Sequence, residues 1–132
     1  MLLVDTNVLV DVLQNDPQWA DWSIAQLRAQ AKLHALAINP VIYSEMSLSF
    51  STLEALDEVV RTMALELREI PRPALFLAAR AYSLYRRRGG SKGQVLPDFV
   101  IGAHAAVEGW PLLTRDASRF KTYFPTLEVV AP

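Results

Sequence analysis

The chain alternates short, wholly apolar runs with stretches in which apolar positions recur every three to four residues. Met1-Leu2-Leu3-Val4 is apolar throughout and stops abruptly at Asp5-Thr6-Asn7. A continuous apolar run bounded by turn residues is the pattern of a strand buried on both faces. Residues 33–38, 65–70, 111–114 and 127–130 are also read as strands, which makes five in all. Helices are predicted between them. Thr6 or Asn7 caps a short one through Val8, Leu9, Val12 and Leu13. Asp16-Pro17, an acid N-cap followed by proline at the first helical position, opens a second carrying Trp19, Trp22, Leu27 and Ala31. Asn39-Pro40 repeats that signature ahead of Val41, Ile42, Glu45, Met46 and Leu48. Ser51-Thr52-Leu53-Glu54 reads as a capping box for a helix to about Met63. A helix from Pro73 to Arg88 stops at Gly89-Gly90, and one opened by Pro97-Asp98 ends at Gly109. Strands alternating with helices predict an α/β fold, a parallel sheet covered on both faces.

Composition narrows the picture. The 132 residues, 52% hydrophobic and 20% charged, predict one globular domain spanning 1–132, without repeats or an interdomain linker. There is no cysteine, which excludes disulfides, thiolate metal sites and a thiol nucleophile and suits a reducing, cytoplasmic setting. No basic flank or cleavage site precedes the first strand, and every apolar stretch is broken well short of the ~18 residues a membrane span needs. Neither a signal peptide nor a membrane segment is therefore expected.

A net charge of −1 argues against a generic nucleic-acid binder, but the mean hides a bias. Arg86, Arg87, Arg88, Lys92, Arg115, Arg119 and Lys121 are seven of the thirteen basic residues, all in the C-terminal half. They read either as a phosphate-binding stripe or, for the triple arginine, as a solvated helix end where cations are favoured.

The acids carry the chemistry. Asp5 ends the first strand, on the sheet edge where open α/β folds bind ligands. Glu45 interrupts an apolar helical turn, Asp98 opens the helix before the fourth strand, and Asp116 follows that strand. Each breaks or ends an apolar run and can reach the same edge, whereas most other acids fall on polar stripes or near helix ends. Four converging carboxylates cannot all ionise without counter-charge. Oxygen donors without histidine or cysteine select hard cations, Mg²⁺ or Mn²⁺, which activate water against a phosphodiester.

These segments resemble a known family. Asp5-Thr6-Asn7 after an apolar strand, Tyr43-Ser44-Glu45, Pro97-Asp98-Phe99-Val100-Ile101-Gly102-Ala103, and Leu113-Thr114-Arg115-Asp116 with Phe120 are similar to the PIN-domain ribonucleases. More narrowly they are similar to the VapC-type toxins of toxin–antitoxin pairs, over essentially the whole chain. The resemblance implies a PIN-like three-layer α/β/α sandwich around a parallel sheet of about five strands. It further implies a Mg²⁺ or Mn²⁺ site, endonucleolytic cleavage of structured RNA (transfer or ribosomal), a homodimer, and a cognate VapB-like antitoxin. By that analogy Asp5, Glu45, Asp98 and Asp116 are the catalytic metal ligands. Asn7 and Thr114 orient carboxylates or the scissile phosphate, although Asn7 also reads as a plain cap.

Arg115 either holds a phosphate oxygen or pairs with an acid, and Arg86, Arg87, Arg88 and Lys92 are candidates for RNA contact. Asp11 is expected at the surface, and His104 as a hydrogen-bonded, partly buried histidine on an apolar helix. Trp19 and Trp22 read as packing or as a partner groove. Gly102 stands where alanine is usual in the family, costing the helix up to ~1 kcal/mol and implying close packing. Haloacid-dehalogenase and receiver-like readings fail because position 7 is not acidic and Ile70-Pro71 leaves the central phosphoacceptor position empty. A PIN-like fold kept only for RNA or protein binding is the remaining alternative.

Overall fold

Five short strands, β1 (Leu2–Val4), β2 (Leu36–Ile38), β3 (Leu65–Leu67), β4 (Leu112–Leu113) and β5 (Val129–Val130), form one parallel sheet in the order β3-β2-β1-β4-β5. The computed structural model that shows this describes residues 1–91, 93 and 95–132. Leu3 of β1 stands opposite Ala37 on one side and Leu112 on the other. Every residue of β1 and β2 is buried, as the unbroken apolar runs predict for strands covered on both faces. The cover is provided by α1 (Thr6–Leu13), α2 (Ala20–Ala31), α3 (Pro40–Met46), α4 (Leu53–Thr62), α5 (Arg72–Arg87), α6 (Leu96–Glu108) and α7 (Ser118–Tyr123).

This topology positions the site. From β1 the chain steps outward through β2 to β3, then returns to the other side of β1 to add β4 and β5. The strand order therefore reverses between β1 and β4, and the crevice beyond the carboxyl ends of such a pair is where open α/β sheets place ligands. Asp5 follows β1 and Thr114-Arg115-Asp116 follow β4.

Several predicted boundaries move. The strands are shorter than their apolar runs: Leu33 and His34 lie in a turn before β2, so His34 is not a strand residue. Asp16 does cap, its Oδ1 accepting from the N–H groups of Gln18 and Trp19, but a turn intervenes and α2 starts only at Ala20. The helix after β2 ends in a 3₁₀ turn at Ser47–Ser49, and α4 is capped by Thr52, which accepts from Ala55 N–H. The cap is thus one residue later than a box between Ser51 and Glu54 requires. Helix α7 is absent from the sequence-based map, although Phe120, Tyr123 and Phe124 recur at helical spacing.

Around the start of α6 an aromatic cluster locks α5, α6 and α7 together. Phe99 lies 5.6 Å from Tyr82, 5.3 Å from Tyr85, 5.4 Å from Tyr123 and 6.2 Å from Phe124, centroid to centroid. Gly102 faces this cluster. A Cβ there would sit 2.6 Å from Phe124 Cε2 and 2.9 Å from Phe120 Cδ1, too close for either ring to stay in place. The expected close packing is therefore against α7 and its end. Gly102→Ala is expected to destabilise the protein by about 1–2 kcal/mol, because overpacking outweighs the gain in helix propensity. A fall in the denaturant midpoint with an unchanged slope would register it.

Candidate active site

Asp5 is built into the helix it precedes. Its backbone is extended and its Oδ1 accepts from Thr6 N–H at 2.8 Å, so the N-cap of α1 is Asp5, not Thr6 or Asn7. Its other oxygen accepts from the Thr114 hydroxyl at 2.7 Å, across from β1 to the end of β4. Thr114, itself fully buried, accepts in turn from Asp116 N–H at 3.2 Å and, at 3.4 Å, from the Asn7 amide. Asn7 Oδ1 accepts from Arg115 N–H at 3.3 Å. With neither residue needed as the cap, Asn7 instead ties the start of α1 to the loop after β4.

The other acids arrive from separate helices. Glu45, near the end of α3, accepts a 2.6 Å hydrogen bond from the Thr6 hydroxyl. That helix is set by Asn39, whose Oδ1 accepts from Ile42 N–H at 2.9 Å, as the Asn39-Pro40 signature predicts. Asp98 stands in the first turn of α6 and pairs with Arg119 of α7, Nη1 to Oδ2 2.7 Å. Asp116 is exposed in the loop after β4, with the Ser118 hydroxyl 3.4 Å from its Oδ1. Asp5, Asn7, Glu45, Asp98, Arg115 and Asp116 all line one pocket of about 300 Å³, together with Thr6, Val10, Arg119 and Phe120.

The electrostatics follow from burial and crowding. Asp5, 4% exposed, has its carboxyl pushed up to about 7. Loss of water is the main cause, the bonds from Thr114 and Thr6 oppose it, and the charges of Asp98 and Glu45 add to it. Asp98 is also raised by burial, against the pull of Arg119, with Glu45 and Asp116 adding repulsion. The carboxyls therefore feel one another, as groups sharing a site must. Each is held by an internal donor, and among the described residues no three acids or histidines cluster tightly enough to hold an ion as they stand. The donor set itself, four carboxyls without nitrogen or sulfur ligands in the pocket, suits a hard divalent cation.

Asp11 and the two pocket arginines complete the surroundings of the site. Asp11 is not a surface acid: it is 2% exposed, and its Oδ2 accepts from Arg115 Nε at 2.9 Å and from Ser23 Oγ at 3.1 Å. Arg115 also lies over the Trp19 ring, 5.5 Å from its centroid, and Trp19 meets Trp22 edge-on. Of the two expectations for Arg115, pairing with an acid is what the geometry contains. Arg119, which the sequence marked only as one of the C-terminal basic residues, lies on a pocket carboxyl. Its signal lay in the helical spacing of Phe120 and Tyr123, which places residue 119 on the turn facing Asp98.

His104 is fully buried with Nδ1 3.1 Å from Asn39 Nδ2. Asn39 spends its carbonyl oxygen on the cap, so its amide nitrogen donates and the imidazole accepts at Nδ1. Burial lowers the pKa of His104, and the residue does not line the pocket. Among the basic candidates, Arg86 turns back toward the Tyr82 hydroxyl, Arg88 lies over Tyr123, and Arg87 is exposed. None of the three lines the pocket, and Lys92 lies outside the described residues.

Among the described residues no helix is long and apolar enough to cross a membrane. Solved structures of similar fold include VapBC2 from Rickettsia felis bound to a promoter DNA fragment (TM-score 0.75, 20% identity, covering 99% of this chain and 98% of that one). DNA-bound VapBC from Salmonella typhimurium (TM-score 0.71, 21% identity, 99% and 98%) and FitAB bound to an IR36 DNA fragment (TM-score 0.73, 21% identity, 100% and 95%) are similar as well. No curated protein sequence matches the chain. The family model of the PIN domain matches residues 2–124, nearly the whole chain, and the protein belongs to the PIN domain family.

Proposed function

We propose that this protein is a metal-dependent endoribonuclease of the VapC toxin type, which cleaves structured RNA and is held inactive by a cognate VapB-like antitoxin. The observation that carries the reading is the convergence of Asp5, Glu45, Asp98 and Asp116, from four separate elements, on one pocket at the reversal of strand order. These four carboxyls would hold Mg²⁺ or Mn²⁺. When bound, the ion would make a water acidic enough to attack and would neutralise charge building on the phosphodiester.

The chain's own residues prepare that chemistry. Thr114, itself bonded by Asn7, orients Asp5, and Thr6 orients Glu45, so two of the four carboxyls are already positioned by neighbouring donors. The raised pKa of Asp5 marks a buried anion that lacks enough counter-charge, the condition a divalent cation relieves. Arg87 and Arg88, at the end of α5, offer charge to an RNA backbone beyond the pocket. The toxin reading, with its antitoxin, homodimer and cytoplasmic setting, draws on the family and on the fold shared with the VapBC and FitAB structures.

The test compares structured RNA substrates with DNA of the same sequence in Mg²⁺. Discrete fragments from RNA alone are expected. Equal cutting of both polymers would overturn the RNA assignment. Tight RNA binding without cutting, by protein freed of any copurified partner, would replace the enzyme with a binding module.

A further inference from the structure

Two arginines line the acid pocket, and their surroundings differ. Arg115 is held by the buried Asp11, by the Trp19 ring and, through its backbone, by Asn7. It neutralises an acid outside the set of four. Arg119 grips Asp98, one of the four, at 2.7 Å, and its guanidinium otherwise rests over the Tyr85 ring, 5.5 Å from the centroid. An aromatic face attracts a cation without a directional bond, so it steadies the guanidinium over a range of orientations. The Arg119 and Asp98 side chains are 30% and 36% exposed, open enough for the pair to exchange partners. The backbone at residue 119 is meanwhile fixed, because the adjoining Phe120 is packed against Gly102.

We propose that Arg119 is the internal counter-ion of the acid cluster. A divalent cation must displace it from Asp98, and the guanidinium so released binds the phosphodiester of the substrate. The inference rests on the nuclease reading above. Its physical basis is that Asp98 cannot give the same oxygen to arginine and to a metal at full strength. A guanidinium set free in the pocket has a planar fork suited to two phosphate oxygens. Arg119 thereby suppresses metal loading and promotes substrate binding, two effects of opposite sign.

That opposition supplies the test. Mn²⁺ binding is measured by calorimetry without RNA for the wild type, Arg119→Gln and Arg119→Lys, and RNA cleavage is then measured at saturating Mn²⁺. Arg119→Gln is expected to bind Mn²⁺ about tenfold more tightly, since a competing cation has gone, and to lose about 10- to 100-fold in kcat/KM. Arg119→Lys, a point charge without the fork, is expected to restore part of the cleavage and part of the metal competition. A purely supportive role for Arg119 would weaken both functions together, so unchanged or weaker Mn²⁺ binding by Arg119→Gln would overturn the proposal. Tighter binding with undiminished cleavage would overturn the phosphate role. Absence of Mn²⁺ binding by the wild type would instead defeat the nuclease reading itself.

Discussion

Asp5→Asn is expected to reduce cleavage by on the order of 10³-fold while making the metal-free protein more stable above pH 7. The two effects share one cause. Losing a proposed metal ligand would remove several kcal/mol of transition-state stabilisation, and about 4 kcal/mol is that factor in rate. The stability effect has the opposite sign because the Asp5 carboxyl is raised from 3.8 to about 7 in the fold. Between those values the folded state keeps a proton that the unfolded state releases. Stability therefore falls as pH rises from about 4 to 7, and the full penalty remains above that range.

Asparagine carries no charge to desolvate. It can still accept from Thr6 N–H and can donate to the Thr114 hydroxyl, so the cap survives. In chelator, thermal unfolding against pH should show the two proteins converging below about pH 4 and Asp5→Asn unfolding at the higher temperature above pH 7. Adding Mg²⁺ should reverse the order, because only the wild type gains full binding stabilisation. A variant less stable than the wild type at every pH in chelator would show that Asp5 is a structural anion.

Arg115→Met is expected to lower stability by about 2–3 kcal/mol. Asp11 is almost fully buried, and with Arg115 removed only the Ser23 hydroxyl would remain on its carboxylate. Breaking a buried pair from one side typically costs ~3–5 kcal/mol. The expected loss is smaller because the Arg115 side chain is 34% exposed and water can reach part of the gap. Asp11→Asn combined with Arg115→Met should recover much of the loss, since the uncompensated charge is then gone. Denaturant unfolding of the two single variants and the double variant measures this coupling directly. An arginine whose role was confined to substrate phosphate would leave stability unchanged and show no recovery.

Much of the architecture is legible in local pattern. Apolar runs find β1 and β2 because both sheet faces are covered there, and the Asn39-Pro40 signature finds the start of α3 with its true cap. The pocket acids stand out because Asp5, Glu45 and Asp98 interrupt apolar context and Asp116 ends it. What escapes are partnerships made across the sequence. Asp11 reads as a surface acid because its partner lies 104 residues away, and Arg119 reads only as part of a basic stripe because its partner Asp98 is 21 residues upstream. Strand ends escape for a related reason: Leu33 is apolar but has no neighbouring strand to pair with, so it stays 74% exposed in a turn. The first cap is misplaced by one or two residues because Thr6 and Asn7 are good caps in isolation. Thr6 is drawn instead to Glu45 and Asn7 to Thr114, contacts that local propensity does not describe.

In the proposed function, four carboxyls at the reversal of strand order make a metal-dependent ribonuclease. The direct measurement is cleavage of total RNA by protein stripped of metal and of any bound partner, with Mg²⁺ or Mn²⁺ then added back, alongside Asp98→Asn. Discrete fragments that appear only with added metal, and not with Asp98→Asn, are the predicted result. Fragments that persist in excess EDTA, or that Asp98→Asn produces as readily as the wild type, would contradict it.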